Sequence, residues 1–128
     1  MTTDLMMLTL SALLTALLAL PGTVDLVLER GLPYAAGNRD DPKPLAAWAE
    51  RAQRAHRNAL ESLPVFAVFV LVAQVSGAAN ETTALGATLF FWARVAHAVV
   101  YIAGVPWVRT GAFAVSLIGL FMILFEIL

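Results

Sequence analysis

The sequence predicts an all-α membrane protein, a bundle of four transmembrane helices that run alternately up and down. Of its 128 residues, 60% are hydrophobic and only 13% are charged, and the mean hydropathy is +0.80. An average soluble domain is about half apolar and a quarter charged, so this small chain has more apolar side chains than a water-exposed surface tolerates. We therefore expect lipid to cover much of its surface, and a single domain over residues 1–128.

Four apolar runs are each long enough to cross a bilayer, which takes about 20 residues. They cover about residues 5–28, 52–75, 83–103 and 107–128. Short connections separate the last three, which makes antiparallel neighbours of them, and a longer loop rich in Gly, Pro, Asn and Asp follows the first. We interpret the first run as a permanent helix rather than a signal peptide, because no Lys or Arg precedes it.

The basic residues are concentrated on one side of the predicted bundle. Six lie in the first loop or in the opening turns of the second helix: Arg30, Arg39, Lys43, Arg51, Arg54 and Arg57. Arg109 lies at the third connection, which falls on the same side, whereas the N-terminus and the second connection have no basic residue. The positive-inside rule therefore predicts a cytoplasmic first loop and both termini outside.

Two of the predicted helices carry polar stripes. The stripe of the second helix repeats at spacings of three and four and so shares one face: Arg54, Arg57, Asn58 and Glu61. The stripe of the third helix falls at i, i+3 and i+7: Arg94, His97 and Tyr101. A charge at mid-bilayer costs about 2.5–3.5 kcal/mol on insertion scales, so the stripes should face each other, the bundle interior or a neighbouring subunit. Because Glu61 and Arg94 reach similar depths, we predict an ion pair between them.

Single charged or polar residues of the predicted helices also have simpler interpretations. Arg51, Arg54 and Asp25 are expected to be interfacial residues, His97 and Tyr101 would serve as packing residues, and the predicted ion pair would be purely structural. It is the convergence of polar residues at one end of the bundle that indicates a site for a small anionic or zwitterionic ligand. The converging residues are Arg57, Asn58, Glu61, Arg94, His97, Tyr101 and Arg109 with Thr110 beside it.

Several functional classes are excluded or disfavoured. The net charge of −1 gives no reason to expect a nucleic-acid partner. The absence of cysteine excludes disulfides, thiolate metal sites and a protein-borne thiol nucleophile. The two histidines, His56 and His97, lie on different helices and do not make a zinc site without further ligands, so we predict no metal.

The string Arg54-Ala-His-Arg-Asn-Ala-Leu-Glu61 resembles the signature of the MAPEG family, the membrane-associated proteins of eicosanoid and glutathione metabolism. The string Arg94-Val-Ala-His-Ala-Val-Val-Tyr101 and the pair Arg109-Thr110 extend the resemblance, which is strongest to the glutathione transferase and prostaglandin E synthase branches. The short, alanine-rich chain is similar to bacterial members, which implies the inner membrane.

The resemblance implies a homotrimer that binds glutathione, as a thiol co-substrate, between helices of adjacent subunits near the cytoplasmic face. By matching position, the residues that contact or line that site are Arg57, Asn58, Glu61, His97 and Tyr101, and Arg94 belongs to the same cluster. Arg109 matches the arginine that stabilises the glutathione thiolate, and Thr110 would donate a hydrogen bond to the sulfur. The interval from Tyr101 to Arg109 is one residue shorter than in the prostaglandin synthase pattern.

Two functional hypotheses follow from the resemblance. The first is a glutathione transferase or peroxidase that acts on lipophilic electrophiles dissolved in the bilayer. The second is a non-catalytic lipid-binding or scaffold protein of the same fold, whose polar cluster only holds subunits together, because a family fold does not by itself establish catalysis.

Overall fold

The computed structural model describes residues 1–40 and 45–128, so Lys43, one of the basic loop residues, lies outside the described part of the chain. All regular structure in the described part is helical, and four helical stretches are long and apolar enough to cross a membrane. The predicted fold class is therefore confirmed. The helices are α1 (Thr3–Leu17), α2 (Leu20–Arg30), α3 (Leu32–Ala36), α4 (Ala47–Ser76), α5 (Glu81–Ala103) and α6 (Pro106–Ile127).

The first predicted helix is interrupted, and its two parts are α1 and α2. Pro21 has no N–H with which to continue the helical hydrogen bonds, and the N–H of Ala19 bonds the carbonyl of Ala16 rather than that of Thr15. The freed Thr15 carbonyl lies 2.9 Å from Nδ1 of His56 on α4. Because a carbonyl only accepts, Nδ1 carries the proton. The interruption thus creates a hydrogen bond that joins α1 to α4.

Asp25 on α2, which was predicted to be interfacial, has a side chain buried within the protein and a specific partner. Its Oδ2 accepts a hydrogen bond of 3.2 Å from the backbone N–H of Ala46, which caps α4. A carboxylate is favourable there because the N-terminal end of a helix carries partial positive charge. The helix α4 begins at Ala47 rather than near residue 52. The boundary was predicted from the apolar segment, and the residues just before that segment are helical as well.

An apolar core joins α4, α5 and α6. Its buried members are Phe66, Val70, Ala73, Ala87, Phe90, Leu120 and Ile123. The rings of Phe66 and Phe90 stack with their centroids 4.0 Å apart. Nearby, α5 and α6 approach each other through two glycines: a Cβ added to Gly119 would lie 2.5 Å from the carbonyl oxygen of Gly86. Small residues permit such close backbone approach between membrane helices.

Contacts at the two ends of the bundle establish the helix directions. At one end, Nδ2 of Asn80 donates to Oε2 of Glu126 at 2.7 Å, which joins the start of α5 to the end of α6. At the other end, Nε of Arg51 donates to the carbonyl of Ile102 at 2.9 Å, which joins the start of α4 to the end of α5. The three helices α4, α5 and α6 therefore run in alternating directions.

Candidate functional site

A polar pocket opens between α4, α5 and α6, at the end of the bundle where α5 ends and α6 begins. It consists of two adjoining recesses of about 260 and 230 Å³ that share Asn58 and Tyr101. The structure brings together in its walls nearly all the residues selected from the sequence: Arg54, Arg57, Asn58, Glu61, His97, Tyr101, Arg109 and Thr110. Arg94 does not line this pocket.

Arg109 and Tyr101 form the centre of the pocket wall. The guanidinium carbon of Arg109, in the first turn of α6, lies 4.4 Å from the centroid of the Tyr101 ring in the last turn of α5. A cation over an aromatic face at this distance is attracted to it. His97, one turn earlier on α5, meets the same ring edge to face with centroids 5.5 Å apart. The short interval between Tyr101 and Arg109 thus still places the cation against the tyrosine.

The turn between α5 and α6 sets this geometry. Gly104 has φ of +83°, a conformation that residues with a Cβ rarely adopt. The N–H groups of Gly104 and Val105 bond back to the carbonyls of Tyr101 and Val100 at 3.1 and 2.9 Å, which is a Schellman ending. Pro106 then opens α6, where its missing N–H is not needed.

Arg51 was predicted to be an interfacial anchor, and the structure shows a more specific contact. Its Nε donates to the carbonyl of Ile102, one of the last-turn carbonyls that have no partner within their own helix. The guanidinium also packs against Gly104, where an added Cβ would lie 3.4 Å from Nε. A cation suits the partial negative charge at the end of α5. Arg51 thus holds the turn that leads into α6, the helix on which Arg109 lies.

The outer wall of the pocket is the exposed face of α4. Arg54 lies 3.6 Å from Glu50, and its side chain is 50% exposed, so the pair contributes only a few tenths of a kcal/mol. Arg57 and Glu61 are exposed as well, and neither forms an ion pair with any residue in the described part of the chain. This face is therefore available to a ligand or to a neighbouring subunit.

The predicted ion pair between Glu61 and Arg94 is wrong. Arg94 is only 4% exposed, and its Nη2 donates to Oδ1 of Asn58, whereas Glu61 is exposed. The prediction rested on equal depth in the membrane. Depth does not give the rotation of a helix about its own axis, and α4 is rotated so that Asn58 faces Arg94. Arg94 accordingly holds Asn58 from behind the pocket wall.

The polar groups that remain free determine what the pocket can bind. Oδ1 of Asn58 is occupied by a guanidinium, which can only donate, so its Nδ2 is left to donate to a ligand. The hydroxyl of Thr110 donates to the carbonyl of Pro106 at 3.3 Å, an exposed and long contact. His97 is 3% exposed, and its Nδ1 has no partner within the described residues.

An apolar groove extends from the pocket between α4 and α6 and has room of about 280 Å³. Its walls are Asn58, Glu61, Ser62, Val65, Phe113, Leu117 and Leu120. Because Asn58 and Phe113 border both spaces, a molecule in the groove would lie beside a molecule in the pocket. The groove was not predicted from the sequence, because an apolar helix has apolar residues on every face and the sequence does not show which face lines a groove. A weak indication was that Ser62 and Val65 lie on the same face of α4 as the polar stripe.

Comparison with known proteins agrees with the motifs. The chain matches the family model described as the MAPEG family over residues 5–128, which is nearly its whole length. The chain therefore belongs to the MAPEG family, and it is an integral membrane protein with several membrane-spanning helices. No curated protein gives a significant match. Within residues 1–40 and 45–128, no group of three His, Asp or Glu side chains is placed to hold a metal ion.

Proposed function

We propose that this protein is a glutathione-dependent membrane enzyme, a transferase or peroxidase that acts on lipophilic electrophiles. Glutathione binds in the polar pocket as the thiol co-substrate, and the electrophile lies in the apolar groove. The observation that carries the proposal is the position of Arg109. Its guanidinium lies over Tyr101 in the pocket, one helical turn from Phe113, where the groove begins.

The charges of the pocket suit glutathione, which carries two carboxylates and one ammonium group at neutral pH. Arg54 and Arg57 offer guanidinium groups, whose paired N–H donors match a carboxylate. Glu61 suits the ammonium group, and the free Nδ2 of Asn58 suits a peptide carbonyl. A pocket with charges of a single sign would match this zwitterionic tripeptide less well.

Arg109 is the proposed catalytic residue. A free thiol has a pKa of about 8.5 and is mostly protonated at neutral pH, and a nearby cation lowers the pKa toward the reactive thiolate. Thr110 is the adjacent pocket residue whose hydroxyl would turn from its long contact to the sulfur. His97 and Tyr101 complete the wall, with Tyr101 holding the Arg109 guanidinium in place.

The chemistry needs only glutathione and the second substrate. In a transfer, the thiolate sulfur forms a bond to an electrophilic carbon, the leaving group departs with its electron pair, and the thiol proton passes to solvent. In peroxide reduction, two glutathione molecules are oxidised to the disulfide while the hydroperoxide is reduced to an alcohol and water. The apolar walls Val65, Phe113 and Leu117 favour a second substrate that partitions into the bilayer.

The proposal includes a homotrimer whose pockets lie at the cytoplasmic face of the membrane, the inner membrane if the source is bacterial. Arg57 and Glu61 are uncovered on α4, although charged side chains face lipid only at considerable cost. A second copy of the chain would cover this face and complete each pocket. The cluster of basic residues at the same end supports the cytoplasmic side.

The test is binding of reduced glutathione to the purified protein in detergent, measured by calorimetry. We expect saturable binding that is lost in Arg57→Ala and Glu61→Ala. The matched control is Glu81→Gln, because Glu81 is an exposed carboxylate at the opposite end of the bundle. No binding to a folded trimer would contradict the proposal and would favour a non-catalytic lipid-binding protein, which needs the groove alone.

A further inference from the structure

A second, smaller cavity lies inside the bundle, on the side of Arg94 that faces away from the polar pocket. It lies between α1, α4 and α5 and has a volume of about 10 Å³. Its walls are Ser11, Leu14, Thr15, Ala59, Ser62, Leu63, Phe90 and Arg94. Neither the family resemblance nor the proposed function assigns this cavity a role.

Two wall residues bring unsatisfied polar groups to the cavity. Arg94 is 4% exposed, and its Nε and Nη1 have no partner within the described residues, because only Nη2 is engaged by Asn58. Ser11 is 3% exposed, and its hydroxyl also has no partner there. Buried polar groups in proteins are nearly always hydrogen-bonded to protein or to ordered water. The cavity wall therefore carries donors that require an acceptor.

The other polar wall residues offer acceptors only. The hydroxyl of Thr15 donates its proton to the carbonyl of Ser11 at 2.8 Å, and that of Ser62 donates to the carbonyl of Ala59 at 3.2 Å. Each oxygen is therefore left with lone pairs and no free proton. Arg94 thus offers N–H donors to a molecule in the cavity, and the hydroxyls of Thr15 and Ser62 offer it lone pairs.

We propose that this cavity is the binding site of one ordered water molecule. Water accepts from Arg94 and donates to the oxygens of Thr15 and Ser62, and the room available is that of a single water. An anion would suit Arg94 but would be repelled by the lone pairs of both hydroxyls. A cation would be repelled by Arg94. Of water, an anion and a cation, only water both donates and accepts hydrogen bonds, so only water can pair with all the polar groups of the cavity wall.

The proposed water links α1 to the polar pocket through a defined set of contacts. It joins Ser11 and Thr15 on α1 to Arg94, which in turn holds Asn58 at the pocket wall. Together with the bond from His56 to the Thr15 carbonyl, it gives α1 a second polar attachment beside the interruption after Leu17. The water thereby orients the Asn58 amide, whatever ligand the pocket takes.

The test is a crystal structure of the protein in lipid, with crystals grown in bromide in place of chloride, at a resolution that shows ordered water. We expect density for one molecule within hydrogen-bonding distance of Arg94 and of Thr15 or Ser62, without an anomalous bromide signal. The matched variants are Ser11→Val, whose branched side chain fills the cavity, and Ala12→Val, which makes a similar change on the exposed face of α1. Ser11→Val should lose the density and lower the unfolding temperature by several degrees relative to Ala12→Val.

Three outcomes would overturn the proposal. A bromide signal in the cavity would identify an anion site instead. A cavity without density, or one in which Nε and Nη1 of Arg94 meet protein or lipid groups, would show that no water is held. If Ser11→Val does not fold, the wild-type density and the bromide signal still decide the question. None of these results depends on glutathione binding, so a failure here is distinct from a failure of the proposed function.

Discussion

Arg94 on α5 donates a hydrogen bond from Nη2 to Oδ1 of Asn58 on α4, and this contact rather than an ion pair with Glu61 joins the polar faces of the two helices. The arginine is buried and the asparagine is half-buried at the pocket wall. The arrangement places the Arg94 guanidinium behind a residue of the pocket wall. It leaves the exposed carboxylate of Glu61 without an ion-pair partner in the described part of the chain, so in the proposed function this carboxylate is free to bind the ammonium group of glutathione.

The contact between Arg94 and Asn58 predicts different consequences for the two α4 residues. Asn58→Leu removes the only described acceptor of Arg94 and should lower the free energy of unfolding by about 1.5–3 kcal/mol, the range for hydrogen bonds to charged groups. Glu61→Gln should change it by less than about 0.5 kcal/mol, since the carboxylate is exposed. Thermal unfolding of both variants in one detergent provides the comparison. A larger loss of unfolding free energy for Glu61→Gln than for Asn58→Leu would indicate that Glu61 does form the ion pair with Arg94.

The glycine contact between α5 and α6 makes a prediction about packing. Gly119→Ala places a Cβ 2.5 Å from the carbonyl oxygen of Gly86, so the helices must separate, at a cost of about 1–3 kcal/mol. The matched control is Gly111→Ala on the same helix, where an added Cβ meets nothing within 4 Å. That control should stabilise the helix by about 0.5–1 kcal/mol. Unfolding temperatures that fall equally in both variants would rule out the tight crossing.

Arg51 should affect the pocket although it does not line it. Arg51→Ala removes the hydrogen bond to the Ile102 carbonyl and frees the turn that precedes α6 and Arg109, so we expect weaker glutathione binding as well as a lower unfolding temperature. Arg39→Ala is the control, because the Arg39 guanidinium donates to the carbonyl of Ala35 in its own segment and, among residues 1–40 and 45–128, to no other group. Calorimetry on both variants measures the effect. Unchanged affinity in Arg51→Ala would show that the turn keeps its shape without this cap.

The membrane topology can be tested because the chain has no cysteine. Single cysteines introduced at Asn38, in the first loop, and at Ala78, between α4 and α5, should react from opposite sides of the membrane. The positive-inside rule predicts that a membrane-impermeant thiol reagent labels Ala78→Cys on intact cells and Asn38→Cys only after permeabilisation. The reverse pattern would place the polar pocket on the outer face.

Helical periodicity explains why so much of the pocket could be predicted from the sequence. Residues three, four and seven apart share a face, so the spacing alone groups Arg57 with Glu61 on α4 and His97 with Tyr101 on α5. The rotation of a helix about its own axis depends on packing between residues distant in sequence, such as Phe66 and Phe90. The spacing within one helix does not give this rotation, and for that reason the partner of Arg94 was predicted wrongly.

The interruption of the first helix shows a similar limit. Pro21 is visible in the sequence and signals that the hydrogen bond to the Leu17 carbonyl is missing, but it does not show that the Thr15 carbonyl is freed as well or which side chain bonds it. His56 lies within the motif string of α4, and only the packing of α1 on α4 reveals that it bonds the Thr15 carbonyl. The role of Arg51 was hidden for the same reason, since its partner is a backbone carbonyl of another helix.

The most direct test of thiol activation in the polar pocket is the ultraviolet absorbance of thiolate in bound glutathione, measured against pH for the wild type and for Arg109→Gln. Because a cation lowers the pKa of a thiol, the wild-type thiolate should form well below the value of about 8.5 for a free thiol, and the variant should return toward it. Equal titration curves, with both proteins binding glutathione, would contradict the proposed role of Arg109 and the activation of the thiol in this pocket.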